Sequence, residues 1–395
     1  MKYKELYYQL KLDSDLSNKA KLEAIAKWCH DHVSTDVRYT GDTETCLDKY
    51  KWLAQDYLDE FLPAVPKDLS QKVDAFKKQN VIQVAAKFGF DHFLNTCAPT
   101  KGVENTPNSF GMTPLHIAAT QGHVHTTEAL LKLGALQTQT NRQKQTPLYS
   151  ALALPISSTE ELKEKKIKLF KLLKQHMQMP ITHEDESGDT ILQVMAIHNY
   201  PTLMKELLQE HPELSCIKNR HGHCPIMTAI LNGHIDCVRI LLQEKGAIDI
   251  KDAVGMGPLH YAAAFGNNDM LALVADAYPH LNPTDERGRT PLMMAAYFGN
   301  SSNLPELVRR GARADLLDKY KCTVLHHAVD QTNKPAVEWI LENVTKIDLD
   351  AHDSLNRTPL SICEQFGETN PTALDIKGLL LQHGATPLTG HSRRI

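Results

Sequence analysis

The sequence predicts an all-α solenoid of stacked units of about 33 residues, each a turn followed by two antiparallel helices. Three observations carry that expectation. The tetrapeptide TPLH at Thr113–His116 returns in altered form at Thr146, Thr190, Cys224, Gly257, Thr290, Thr323 and Thr358, in steps of 33, 44, 34, 33, 33, 33 and 35. An alanine pair followed by glycine recurs in phase, as Ala118-Ala119 with Gly122, Ala262-Ala263 with Gly266 and Ala295-Ala296 with Gly299. A turn signal lies upstream of the tetrapeptides, as in Asn219…Gly222, Asp252…Gly255 and Asp285…Gly288.

Residues 1–79 lack the repeat but carry helical stripes, such as Leu22, Ile25, Ala26, Cys29 and Val33. They are expected to form an N-terminal helical cap that shields the first unit's apolar face from water. The solenoid is expected over 80–388, with one degenerate unit near 80–108 and eight clear ones after it. Within a unit, threonine caps the first helix, and proline follows where its missing N–H is no loss. Glycine ends that helix in a left-handed conformation, and the alanines let neighbouring helices approach. The step of 44 is 33 with an insertion, expected at about 155–165. Ser158 with Glu161 reads as a capping box opening a lengthened second helix. Its lysines at 163, 165, 166, 168, 171 and 174 read as a solvated face, or else as a prong for an acidic partner. Residues 389–395 are expected to be a disordered tail.

The pattern D-x-x-G-x-T-P-L-H-x-A-A-x-x-G, followed by L-L and G-A, strongly resembles the ankyrin-repeat family. It stands most fully at Asp285–Gly299 and less so at Asn108–Gly122. The resemblance covers about four-fifths of the chain. Several units depart from it. Thr190-Ile191 and Thr323-Val324 lack the proline, Cys224 and Gly257 replace the threonine, and Lys321 stands where glycine is usual. The degenerate repeats and the unmatched N-terminus also look similar to ankyrin-repeat effectors of intracellular bacteria, which would act on a protein in the host cytoplasm.

Composition bounds the function. Charged residues make up 23% of the chain and the net charge is −4, values of a globular chain without the basic surplus that nucleic acid or an anionic membrane calls for. The start, MKYKELYYQL, has no apolar signal core, and no run of 18 apolar residues exists. A cytoplasmic protein with no membrane insertion is expected. Eight cysteines spread over 395 residues read as reduced thiols rather than a disulfide framework.

Two constellations could carry chemistry. Cys216, His221, His223 and Cys224 offer zinc-ligating types, yet their spacing matches no structural zinc motif, and the repeat register places Cys224 at the cap and the histidines on a turn. Trp28-Cys29-His30-Asp31-His32 sets a thiol beside imidazoles, but neighbours in sequence point apart on a helix. No metal, cofactor, catalytic residue or small-molecule substrate is expected. His116, His260 and His326 read as structural hydrogen-bonders. The alternative is a Cys-dependent hydrolase or transferase in 1–79, built on Cys29 or Cys46, with the repeats selecting the substrate.

The resemblance implies a protein-recognition scaffold that binds a protein partner through a concave groove of turn tips and first-helix ends. Carried onto this sequence, the partner-binding positions are Arg220 and His221, Val254 and Met256, Phe265, Arg287 and Arg289, Tyr297 and Phe298, and Lys319 and Tyr320. Phe265 and Phe298 stand 33 apart and should stack on adjacent units, either lining the groove or packing as core. Arg220, Arg287, Arg289, Lys319 and Arg357 should form a basic ladder suited to an acidic peptide.

Overall fold

The computed structural model describes residues 81–89, 91, 94, 103–153, 159–345, 347–367 and 370–387. The expected cap at 1–79, with Cys29 and Cys46, and the tail at 389–395 lie outside the described residues. The chain divides into two compact units at Ile181 and Thr182.

In the first unit, helices Val81–Phe88, Pro114–Gln121 and Pro147–Leu152 pack in order. The last two are each followed by a second helix, Val124–Lys132 and Glu160–Gln175. In the second unit, Ile191–Ile197, Pro225–Leu231, Pro258–Phe265, Pro291–Tyr297, Val324–Asp330 and Pro359–Gln365 pack in order. Each of these six has its own second helix. Among the described residues the only β pairing is an isolated bridge between Glu184 and Thr190. Where both alanines of the pair occur, they are fully buried.

The first helices begin alike. Oγ1 of Thr113, Thr290, Thr323 and Thr358 each accepts the backbone N–H three residues on, at 3.2–3.4 Å. Units that depart from the pattern keep the same backbone. Cys224 and Gly257 cap with ψ of 167° and 176°, and Thr323 caps a helix that lacks the proline with ψ of 170°.

The motif histidines tie each unit to the next. Nδ1 of His116 accepts from Thr113 N–H at 3.1 Å, and its Nε2 reaches the Gln145 carbonyl at 2.9 Å. His260 bridges Gly257 N–H and the Arg289 carbonyl, and His326 bridges Thr323 N–H and the Arg357 carbonyl. An acceptor at Nδ1 and a donor at Nε2 define one neutral tautomer. Burial drives the His116 pKa down to about 4, and lowers those of His260 and His326. Gln193 performs the same bridge with an amide. Its Oε1 accepts from Thr190 N–H and its Nε2 donates to the His223 carbonyl, both at 2.8 Å.

Three local expectations need correction. Gly266 is not left-handed: its φ is −78°. What requires glycine there is space, because a Cβ would meet the Ala262 carbonyl oxygen at 2.7 Å. Its own carbonyl accepts from Asn300 at 2.7 Å and Asn303 at 2.9 Å on the following unit.

The inserted unit does have the longest second helix among the described residues, 16 residues, but its cap is Thr159, which accepts from Leu162 N–H. Nor is Lys166 on a solvated face. It is fully buried, and its ammonium donates to the carbonyls of Ala119 and Ser150 at 3.3 and 3.2 Å. It satisfies first-helix carbonyls as Asn303 does elsewhere, and burial lowers its pKa to about 8. Leu162 lies against Gly122, so the start of this helix covers a neighbouring unit.

Candidate docking face

The turn tips of the second unit are held in a fixed row. In each turn an Asp or Asn oxygen accepts two backbone N–H groups, as Asp285 Oδ1 does from Arg287 at 2.9 Å and Arg289 at 2.8 Å. Asp252, Asp318 and Asp353 repeat the arrangement. The tip carbonyl then accepts from the next turn, from Glu286 N–H to Val254, Lys319 N–H to Arg287 and Ser354 N–H to Tyr320, at 2.8–3.0 Å. Side chains at these tips are therefore presented at a set spacing by a bonded backbone.

Each turn carboxylate has a second oxygen, and its partner varies. Tyr261 hydroxyl donates to Asp252 Oδ2 at 2.8 Å, and Arg289 pairs with Asp285 Oδ2 at 2.7 Å. His327 Nε2 meets Asp318 Oδ2 at 3.1 Å, and Arg357 pairs with Asp353 Oδ2 at 2.7 Å. Burial pushes the Asp318 carboxyl up, but the bonds from His327 and from the Cys322 and Tyr320 N–H groups hold it below the ordinary value. Burial and the bond to Asp252 push the Tyr261 phenol up.

Beside the tips runs a chain of rings. His221 lies 5.9 Å from His223, which meets Tyr261 edge-on at 5.4 Å. Tyr261 touches Phe265 at 5.9 Å, and Phe265 touches Phe298 at 4.7 Å. Phe298 meets Tyr297 at 5.1 Å, and Tyr297 meets His327 at 6.0 Å. Phe265 and Phe298 are 42% and 45% exposed, so each ring packs on one side and faces solvent on the other. The contact follows from sequence: +8 from each cap residue is Phe in two successive units, and the first helices of those units pack side by side.

The expected binding positions divide. Arg220, His221, Val254, Arg287, Lys319 and Tyr320 are exposed at the tips, and Tyr297 is half-buried beside Phe298. Met256 is buried, because the residue before the cap turns inward once its N–H binds Asp252. Arg289 is held by Asp285, with its guanidinium 5.9 Å from the centre of the Tyr297 ring. Arg357 is likewise held by Asp353. The basic ladder therefore narrows to Arg220, Arg287 and Lys319, with Lys321 beside them. None of these four forms an ion pair among the described residues. Sequence reasoning missed Tyr261, His223 and His327 as parts of the ring chain. Only the four-residue spacing of Tyr261 and Phe265 on one helix could have signalled it.

The Cys/His constellation does not converge. Cys216 is exposed, while Cys224 is buried at its cap, where burial pushes the thiol up to about 11. Among the described residues no group of three or more His, Cys, Asp or Glu side chains is placed to hold a metal ion.

With this geometry in hand, comparison with known proteins defines the class. The model of the family described as "Ankyrin repeats (3 copies)" matches residues 82–168, 159–253, 245–315 and 292–389. The chain belongs to the ankyrin-repeat family. Among curated proteins it is 26% identical over 187 residues to the glycerophosphocholine phosphodiesterase GDE1 of Candida albicans, covering 47% of this chain and 15% of that protein. It is 31% identical over 129 residues to the ankyrin repeat and KH domain-containing protein mask-1 of Caenorhabditis elegans, covering 33% of this chain and 4% of that protein. It is 32% identical over 98 residues to the ANK repeat-containing protein nipk-1 of the same nematode, covering 22% and 16%. The chain thus spans less than a fifth of the length of each of these relatives. Ankyrin repeats imply protein–protein interaction. No described helix is long and apolar enough to cross a membrane.

Proposed function

We propose that this chain is a non-enzymatic recognition scaffold that binds a protein partner on the face formed by its turn tips and the Phe265–Phe298 pair. The observation that supports it is the half-exposed ring pair beside tips whose backbone is already bonded. Two aromatic rings fixed in place before binding lose little entropy on contact and offer a large apolar area, the composition of a binding hot spot. The mechanism is rigid presentation, with no covalent step.

The test is affinity capture from cytosolic lysate by the intact chain and by Phe265→Ser/Phe298→Ser, with melting curves to confirm that both are folded. A protein retained by wild type and lost by the variant supports the reading. One held equally by both puts the contact elsewhere and sinks it. The competing Cys-dependent reading predicts fast thiol labelling of Cys29 or Cys46 in the native chain, whereas the scaffold reading predicts none that matters for binding.

A further inference from the structure

We propose that the partner segment on this face is acidic and extended, with an aromatic or branched apolar anchor seated on Phe265 and Phe298. The proposal rests on the recognition reading above and adds the chemistry of the partner. Charge complementarity is its ground. Over the turn tips from Arg220 to Asn356, four exposed cations stand against one exposed carboxylate, Glu286. Arg220, Arg287, Lys319 and Lys321 form no ion pair among the described residues, whereas Arg289 and Arg357 are already held by Asp285 and Asp353. The chain as a whole carries −4, so this positive row runs against the net charge.

The spacing of the row sets the form of the segment. Neighbouring packed helices lie about 10 Å apart, and an extended chain rises about 3.3 Å per residue. Each turn-to-turn step therefore spans about three residues of an extended segment. Arg287 and Lys319 stand on successive turns and are bonded directly to each other through their backbones at 2.8 Å, so they lie closer than a full turn-to-turn step and fit carboxylates two residues apart, which point to the same side of an extended segment. The ring pair belongs to the same stretch of units and supplies the apolar contact. Ion pairs at such exposed tips act mainly on specificity and association rate, and the rings carry more of the affinity.

The experiment is selection of a random 12-residue peptide display library on the intact chain. Binders are then measured against Phe265→Ser/Phe298→Ser and Arg287→Glu/Lys319→Glu. The expected pool is rich in Asp and Glu around one aromatic or branched residue. Its members should lose about tenfold or more on either variant. Their binding to wild type should also weaken about tenfold from 0.05 to 0.5 M NaCl, a readout that needs no variant. Replacing Asp and Glu by Lys in the peptide should restore binding to the charge-reversed protein. Peptides lost on the Phe variant but basic or neutral, and indifferent to charge reversal, overturn the acidic partner and leave the recognition reading standing. Peptides that bind both variants like wild type, or no selectable peptide at all, overturn the recognition reading itself.

Discussion

The neighbouring units that open at Asp285 and Asp318 share one backbone and differ in almost every part that holds it. At Asp285 the turn carboxylate is held by the Arg289 guanidinium; at Asp318 its partner is the His327 imidazole. The third turn position is Gly288 with φ 80° in one and Lys321 with φ 58° in the other. The first helix is followed by Gly299 with φ 83° in one and Thr332 with φ 52° in the other. The fourth motif position is Met293 in one and the bridging His326 in the other. Stacking, rather than any single motif residue, therefore maintains the backbone. The Asp318 unit combines a buried imidazole bridge at His326 with two left-handed non-glycine residues, and the Asp285 unit has neither.

The largest expected difference is in acid. A bridging imidazole is neutral in the fold because Nδ1 is an acceptor. Its folded pKa lies below the unfolded value, so the unfolded chain takes up the proton first as pH falls. The stabilisation is complete above about pH 6.5 and is lost towards the folded value. For His116, the bridge of the same kind whose folded pKa is about 4, the window is pH 6.5 to 4 and the loss is about 3 kcal/mol. Gln193 shows that an amide can replace the imidazole. His116→Gln should therefore keep most of the stability at pH 7 and flatten the fall between pH 7 and 4 by about 3 kcal/mol, read from urea midpoints. His326→Gln should shift the curve in the same direction, and Met293→Gln should leave its slope unchanged. An equal slope in wild type and His116→Gln would falsify the bridge as the acid-sensitive part.

Much of this was legible in the sequence, and the reasons it stopped are physical. The 33-residue step, the caps and the contact of Phe265 with Phe298 follow from periodicity, because stacked copies bring equal positions together. Periodicity does not say whether a cation at an equal position is free. Arg287 and Arg289 differ by two residues, and only the turn's geometry aims Arg289 at Asp285 and leaves Arg287 outside. The charged neighbours of Lys166 predict a solvated side chain. Its burial comes with bonds to the Ala119 and Ser150 carbonyls at the ends of two first helices, which no local pattern displays.

A second effect tests the glycine of the Asp285 turn. Gly288→Ala places a methyl group at φ 80° with the Lys319 backbone nitrogen 2.9 Å away. The left-handed backbone alone costs roughly 1–2 kcal/mol for a non-glycine residue. A loss of that size in the urea midpoint is expected, and the mutated turn should become more like the one at Lys321. A neutral result would mean that the next turn moves aside at no cost, removing the contrast between the two units.

The smallest effect is the converse one. Lys321 and Thr332 already occupy the left-handed region, and Thr332 is β-branched, the residue class least suited to it. Lys321→Gly and Thr332→Gly relieve that strain but give the unfolded chain more freedom, so each gain should be a fraction of the roughly 1–2 kcal/mol at stake, about 0.5 kcal/mol. The two sites should differ in a second respect. Lys321 is one of the four exposed tip cations, so its replacement should also weaken an acidic peptide modestly, while Thr332→Gly should change stability alone. A Lys321→Gly protein that gains stability and keeps its full salt-dependent affinity would confine the cationic row to Arg220, Arg287 and Lys319. Loss of stability at both sites would mean that the two side chains make contacts worth more than the strain they impose, and the Asp318 unit would then be no weaker in build than its neighbour.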